Sequence, residues 1–293
     1  MERIDFIKIL SSLTFMTMVN PLSSLAKGLH DTQNKMPALF IGHGSPMNGI
    51  EVNTFSQQWI ELGKEYPAPA AVLVISAHWL TNGTKVTAMQ LPKTIHDFGG
   101  FPEELFQVQY PAPGSPVFAK TTKQAIESTD VMLDYDWGLD HGSWTILKHM
   151  YPNAYIPVIQ LSIDFRQPAS YHYNLAKELR NLRNKGVLII GSGNMVHNLG
   201  KIAWDKMDEP NYGFDWAIEM NETFKKHISS RNHPALIDYQ RLGTAAQLAI
   251  PTPDHYYPLL YILALEDKND NISFFNDACV AGSLSMTSVK ISS

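Results

Sequence analysis

Short apolar runs without alternation punctuate the chain at Ala38–Ile41, Ala71–Ser76, Ile156–Leu161 and Val187–Ile190. Runs of this length rich in Val, Leu and Ile fit strands covered on both faces. Segments with helical spacing of apolar residues lie between and after them: Phe55–Glu65, Pro116–Ser128, a helix opened by Leu139–Trp144 and running to about Met150, Pro168–Lys185 (closed by Gly186 as a C-cap), Tyr212–Ser229, Ala235–Gln240, Thr244–Ala249 and Leu259–Leu265. Lys85–Met89 and Leu133–Trp137 read as further short strands, and the late runs Ile272–Phe275 and Ser283–Lys290 as an antiparallel edge. Alternating strands and helices predict α/β layering. Leu91–Pro113 is a long connection rich in Pro, Gly and aromatics, and long ordered loops usually carry function.

The strands end in a repeated way. Ala38–Ile41 stops at Gly42-His43-Gly44-Ser45-Pro46, Ala71–Ser76 runs into Ala77-His78-Trp79, and Val187–Ile190 leads through a Gly191-Ser192-Gly193-Asn194 turn to His197. Each delivers a histidine at or just past a carboxyl end, the edge where open α/β sheets bind ligands. Two more histidines have a marked context: His255 in the rigid stretch Pro251-Thr252-Pro253-Asp254-His255-Tyr256-Tyr257-Pro258, and His141 in Asp140-His141-Gly142-Ser143-Trp144. The expectation is that these imidazoles converge on one metal ion. His96, His149, His172, His227 and His233 lack such a context and read as core or surface residues.

Composition narrows the chemistry. A net charge of -5 without a long basic run makes nucleic acid an unexpected partner. The single cysteine, Cys279, excludes a disulfide framework and a Cys-rich zinc site, so any metal would take imidazole or carboxylate ligands. Neither a G-x-S-x-G elbow nor a G-x-G-x-x-G fingerprint is present. The N-terminus, 1–35, reads as a signal-like segment followed by a polar linker. Ile9–Ala26 is moderately apolar and ends in small residues, and Met1–Lys8 is similar to a twin-arginine export motif with Ile4 in place of the second arginine. The protein is expected in the periplasm if residues 1–26 act as an export signal and in the cytoplasm otherwise. No stable membrane span is expected.

In this order, Gly42–Pro46, Ser76–Trp79, Leu139–Trp144, Gly191–Asn198 and Pro253–Pro258 resemble the motifs of the class III extradiol ring-cleavage dioxygenases, the LigB-like family, and most closely its 4,5-DOPA extradiol branch. The resemblance spans 36–293 and implies a single catalytic domain with a central mixed, mostly parallel sheet flanked by helices. It implies one mononuclear divalent metal held by His43, His78 and His255, with Fe(II) for activity or Zn(II) as bound. It implies an acid/base role for His197, which in some relatives stands close enough to count as a further ligand, and substrate contact by His141. The implied partners are a small aromatic diol such as DOPA and O2, and the implied product is a muconic semialdehyde. Tyr256, Trp79, Phe98 and Phe101 are candidates for packing on the ring. Two other functions use the same shell or fold: a zinc-dependent hydrolase, and a non-enzymatic Memo-like binding or redox protein.

Overall fold

A computed structural model describes residue 32 and residues 35–207 and 209–293. Of the signal-like segment and linker, only Thr32 and Lys35 fall within the described residues. Six strands form the central sheet: β1 (Ala38–Gly42), β2 (Ala71–Ser76), β3 (Val158–Gln160), β4 (Val187–Gly193), β5 (Asn271–Phe275) and β6 (Ser288–Ser292). Their order is β5-β6-β1-β4-β2-β3. The β1, β4, β2 and β3 neighbours are parallel, in registers that include Gly42 against Gly193 and Ser192 against Ser76. Strands β5 and β6 form an antiparallel edge, but of the expected strand Ser283–Lys290 only the part from Ser288 joins it, while Leu284–Ser285 pairs with Cys279–Val280 in a separate two-stranded sheet. The fold is thus the mixed, mostly parallel sheet that the sequence implied.

Alternate residues of each central strand feed opposite cores. Leu39, Ile41, Val72, Val74, Leu188 and Ile190 face one layer, which holds Trp59 and Leu62 of helix α1 (Thr54–Glu65) and Trp144 and Leu147 of α3 (His141–Met150). Ala38, Phe40, Leu73, Ile75 and Ile189 face the other. There they meet α4 (Ala169–Lys177), α5 (Asp215–Ser229) and the wholly apolar α6 (Tyr257–Ala264), while α2 (Pro116–Ala125) covers the short strand Lys85–Thr87. Burial on both faces explains why these strands carry no polar alternation.

Several predicted boundaries shift. The helix expected over Pro168–Lys185 ends at Lys177, and a 3-10 turn, Arg180–Lys185, completes it before the left-handed Gly186. The tightened turn brings Arg183 to full burial at the amino end of the sheet. There its guanidinium donates to the carbonyls of Met36 (2.8 Å), Leu265 (2.8 Å) and Ile291 (3.1 Å) and to Asp270 Oδ2 (2.6 Å). The Gly191-Ser192-Gly193 stretch, expected as a turn, is strand: β4 runs through Gly193. Its glycines answer a close approach, because a Cβ at Gly191 would lie 2.5 Å from the Pro258 carbonyl oxygen and one at Gly193 2.2 Å from that of His255. Within Leu91–Pro113, a short strand (Lys93–Thr94) pairs in parallel with Gly138–Leu139, and a turn of helix covers Glu103–Phe106. Among the described residues, no helix is long and apolar enough to cross a membrane.

Candidate metal centre

The carboxyl ends of β1, β2 and β4 lie side by side because the three strands are parallel neighbours. His43 follows β1 directly, His78 stands two residues beyond β2, and His197 four beyond β4. His255 is brought to the same edge by the segment that crosses Gly193, whose residue Asn194 donates its N–H to the His255 carbonyl (2.9 Å). His141 opens α3, which Asp140 caps by accepting from the Ser143 N–H (3.2 Å). All five marked histidines therefore gather in one cluster. Ring centroids of His43, His78 and His255 are 5.0, 5.3 and 5.0 Å apart around the triangle. His141 lies 3.9 Å from His78 and 5.3 Å from His43. His197 stacks on His255 at 3.5 Å with the planes 5° apart. Candidate ligand atoms of His43, His78 and His141 lie within 4.8 Å of one another, as do those of His197, Asp254 and His255.

Fixed partners orient these rings. Ser192 Oγ donates to the Gly142 carbonyl (2.5 Å), so it can only accept from His43 Nδ1 (2.9 Å). His43 Nδ1 thus carries the proton, and its Nε2 holds a lone pair. His78 Nδ1 faces Asp97 Oδ2 at 3.2 Å, and the same oxygen accepts from His141 Nδ1 at 3.0 Å. His255 Nδ1 is hydrogen-bonded to Asp254 Oδ2 (2.5 Å). A carboxylate or hydroxyl at Nδ1 is the arrangement that commits Nε2 to a metal. The Nε2 atoms of His43 and His78 come within 3.1 Å. Burial first, and then the neighbouring imidazoles, hold the pKa of both rings well below the usual histidine value, so both are neutral at pH 7. Two lone pairs then face each other with no proton between them, an arrangement that a shared cation relieves.

Ligand spacing tests the fit. Nitrogens bound at 2.0–2.1 Å in a tetrahedral site lie about 3.3 Å apart, and their ring centroids about 5 Å apart. The His43–His78 pair matches the nitrogen spacing, and the His43–His78–His255 triangle matches the centroid spacing. Even ligands at right angles would keep centroids about 4.5 Å apart at that bond length, so the closer His78–His141 and His197–His255 pairs do not suit one shared ion.

The remaining environment is ionisable and aromatic. Burial, then His255, push the His197 pKa down to about 3 despite the opposing pull of Asp254, which keeps the ring neutral. Burial opposes ionisation of Asp97, but its hydrogen bonds with His141 outweigh it and hold the carboxyl below its usual value. The Phe98 ring meets His141 edge-on at 5.6 Å and Phe101 at 5.5 Å. Trp79 is buried and stacks on Trp137. Tyr256 lies in the core, where its hydroxyl donates to the Leu236 carbonyl. His96, His149, His172 and His233 bond elsewhere, to Val108, Asn48, Tyr261 and Tyr173. The sequence reading passed over Asp97 and Ser192 as partners; the only signal for Asp97 was its place in a long aromatic-rich loop.

The fold and this cluster define an α/β protein with a histidine-rich site that could hold a metal ion. Residues 37–279 match the family model described as the catalytic LigB subunit of aromatic ring-opening dioxygenase, and the chain belongs to that family. It is 44% identical over 277 residues to 4,5-DOPA dioxygenase extradiol of Escherichia coli K12, covering 92% of this chain and all of that one. It is 34% identical over 267 residues to the Beta vulgaris protein of the same name, covering 89% and 98% of the two chains. The crystal structure of an uncharacterized Escherichia coli K12 protein superposes with a TM-score of 0.76 at 41% identity, covering 88% of this chain and 100% of the other.

Proposed function

We propose that this protein is an extradiol dioxygenase that opens the ring of a catechol such as DOPA with O2, giving a muconic semialdehyde that contains both oxygen atoms. The observation that carries the reading is the triangle of His43, His78 and His255, with paired Nε2 lone pairs 3.1 Å apart at the carboxyl edge of the sheet. These three histidines would hold one divalent ion. When bound, Fe(II) would supply the oxygen chemistry and a common coordination sphere for catechol and O2. Three neutral imidazoles also suit Zn(II), which could fill the site without supporting turnover.

The chain's own groups do the rest. His197, neutral and parallel to His255, is the base that takes a proton from one catechol hydroxyl. Its close stacking on His255 favours this role over that of a further ligand. With His141 Nδ1 tied to Asp97, its Nε2 is left to accept from the second hydroxyl. Phe98, edge-on to His141, walls the ring and limits water. The names of the Escherichia coli and Beta vulgaris relatives support DOPA as the first substrate to try and the 4,5 bond as the one cleaved.

The experiment is anaerobic Fe(II) reconstitution followed by L-DOPA, then catechol, in air. A yellow ring-opened product with matching oxygen uptake is expected. An iron-loaded, folded protein that consumes no oxygen with a catechol panel refutes the reading. Zinc-dependent ester or amide hydrolysis without oxygen uptake would establish the hydrolase in its place.

A further inference from the structure

Asp97 belongs to no element of the central sheet, yet it touches two functional rings. Oδ2 lies 3.0 Å from Nδ1 of His141 and 3.2 Å from Nδ1 of His78, and Oδ1 accepts the His141 backbone N–H at 2.9 Å. The segment that carries it is pinned on several sides. Lys93–Thr94 pairs with Gly138–Leu139, immediately before Asp140 and His141. The Ile95 carbonyl accepts from Trp144 Nε1 (2.9 Å), and His96 bonds the Val108 carbonyl (2.9 Å). Phe98, the next residue, packs against the same His141 ring.

We propose that Asp97 is a positioning residue that fixes the orientation and tautomer of His78 and His141 together through one carboxylate oxygen. The proposal rests on the metal-centre reading for the His78 half; the His141 half stands on geometry alone. The acceptor at His141 Nδ1 fixes the proton there by a hydrogen bond, the carboxylate charge 3.2 Å from His78 Nδ1 favours the proton on that nitrogen, and both Nε2 lone pairs are then directed away from Asp97. The carboxylate is the one group that meets all its neighbours, since every atom facing it is an N–H donor. An amide cannot do so. With its oxygen toward the rings, the Asn NH2 meets the His141 backbone N–H. With its NH2 toward the rings, both imidazoles must move their protons to Nε2, which removes the lone pair that His78 would give to a metal.

The test compares the full-length protein with Asp97→Asn and Asp97→Ala. Zn(II) affinity is measured by competition with a chromophoric chelator, and histidine tautomers by ring 15N shifts in the metal-free protein at neutral pH. Expected are Nδ1–H tautomers for His78 and His141 in the parent and loss of zinc affinity of about 10–100-fold in Asp97→Asn. That variant should also carry an Nε2–H signal at His141. Formate, filling the space left in Asp97→Ala, should restore zinc affinity there and not in Asp97→Asn. The inference is overturned if Asp97→Asn binds zinc within twofold of the parent with both tautomers unchanged. It is also overturned, whatever the variants' folding, if the parent's His141 is an Nε2–H tautomer. A parent that binds no zinc at all overturns the metal-centre reading and the His78 half with it, and the His141 tautomer then decides the other half.

Discussion

Removing the Ser192 hydroxyl should separate the metal-free from the metal-loaded protein. Ser192 Oγ accepts from His43 Nδ1 and donates to the Gly142 carbonyl, and Ser192 is fully buried. In Ser192→Ala both groups lose a partner, at about 1–3 kcal/mol for each left unmade. His43 has an escape in the metal-free state: moving its proton to Nε2 lets it donate across the 3.1 Å gap to His78 Nε2. Only the Gly142 carbonyl is then stranded, and the metal-free loss is about 1–3 kcal/mol. Loading a metal must undo that escape, because the ion needs the Nε2 lone pair. The affinity should fall about 10–100-fold, which is about 1.4–2.8 kcal/mol at 1.4 kcal/mol per tenfold. The loaded protein thus loses about 2–6 kcal/mol in all, the sum of the two effects.

The assay is a pair of thermal melts, with chelator and with excess zinc, beside a zinc competition titration. At about 2–4 °C per kcal/mol for a domain of this size or slightly smaller, the drop in Tm should be visibly larger with zinc than without. Equal drops in the two states, or a zinc affinity within twofold of the parent, would show that Ser192 does not set the His43 tautomer.

Further outcomes follow from other parts of the molecule. Arg183→Met leaves the carbonyls of Met36, Leu265 and Ile291 and the Asp270 carboxylate without their guanidinium. Lys35 remains 2.8 Å from Asp270, so a loss of about 3 kcal/mol, at the low end for a broken buried pair, is expected in urea unfolding, with zinc affinity unchanged. Gly193→Ala drives a Cβ into the His255 carbonyl and should weaken zinc binding as well as stability, by about 1–3 kcal/mol for overpacking. Gly99→Ala, with nothing within 4 Å of the new Cβ, should change neither. Burial, then repulsion from Asp97, raise the Asp140 carboxyl pKa to about 6 from 3.8. Between these values the folded chain binds more proton than the unfolded one, so Asp140 makes stability fall as pH rises from 3.8 to 6. His43, His78 and His197, with lowered pKa values, slope the other way, so the measurement is the difference between parent and Asp140→Asn in metal-free urea midpoints. A difference curve flat across that window would contradict the assignment.

What the chain made legible was whatever it encodes locally. His43 and His78 were found because an apolar run stops abruptly beside glycine or small residues, a pattern visible within ten positions. Asp97 and Ser192 were not, because their roles exist only across distant segments. Asp97 reaches the site through a two-residue strand pairing with Gly138–Leu139, too short for any periodicity to announce. Ser192 reads in the sequence as part of a turn, and its work as a bridge appears when α3 delivers the Gly142 carbonyl to it. The glycines beside it misled for a related reason. Small residues in an apolar run signal a turn when neighbours are unknown, but here they admit the His255–Pro258 segment against a strand that continues.

That same crossing explains why the third imidazole need not come from a strand end. His43 and His78 are placed by parallel hydrogen bonding, which fixes their backbones to the sheet. His255 is placed by contact: its carbonyl takes the Asn194 N–H and fits where Gly193 has no side chain, while α6 begins at Tyr257 and is buried throughout its length. Helix α6 packs against both α4 and β4, so moving His255 away from the other two rings would strip apolar surface from that core. The triangle is therefore held open by hydrophobic burial some residues away, against the mutual repulsion of its lone pairs. This makes the geometry a property of the folded chain before any ion arrives. A metal-free crystal should accordingly keep the three centroids near 5 Å; a site that spreads apart without metal would mean that the ion, not the core, assembles it.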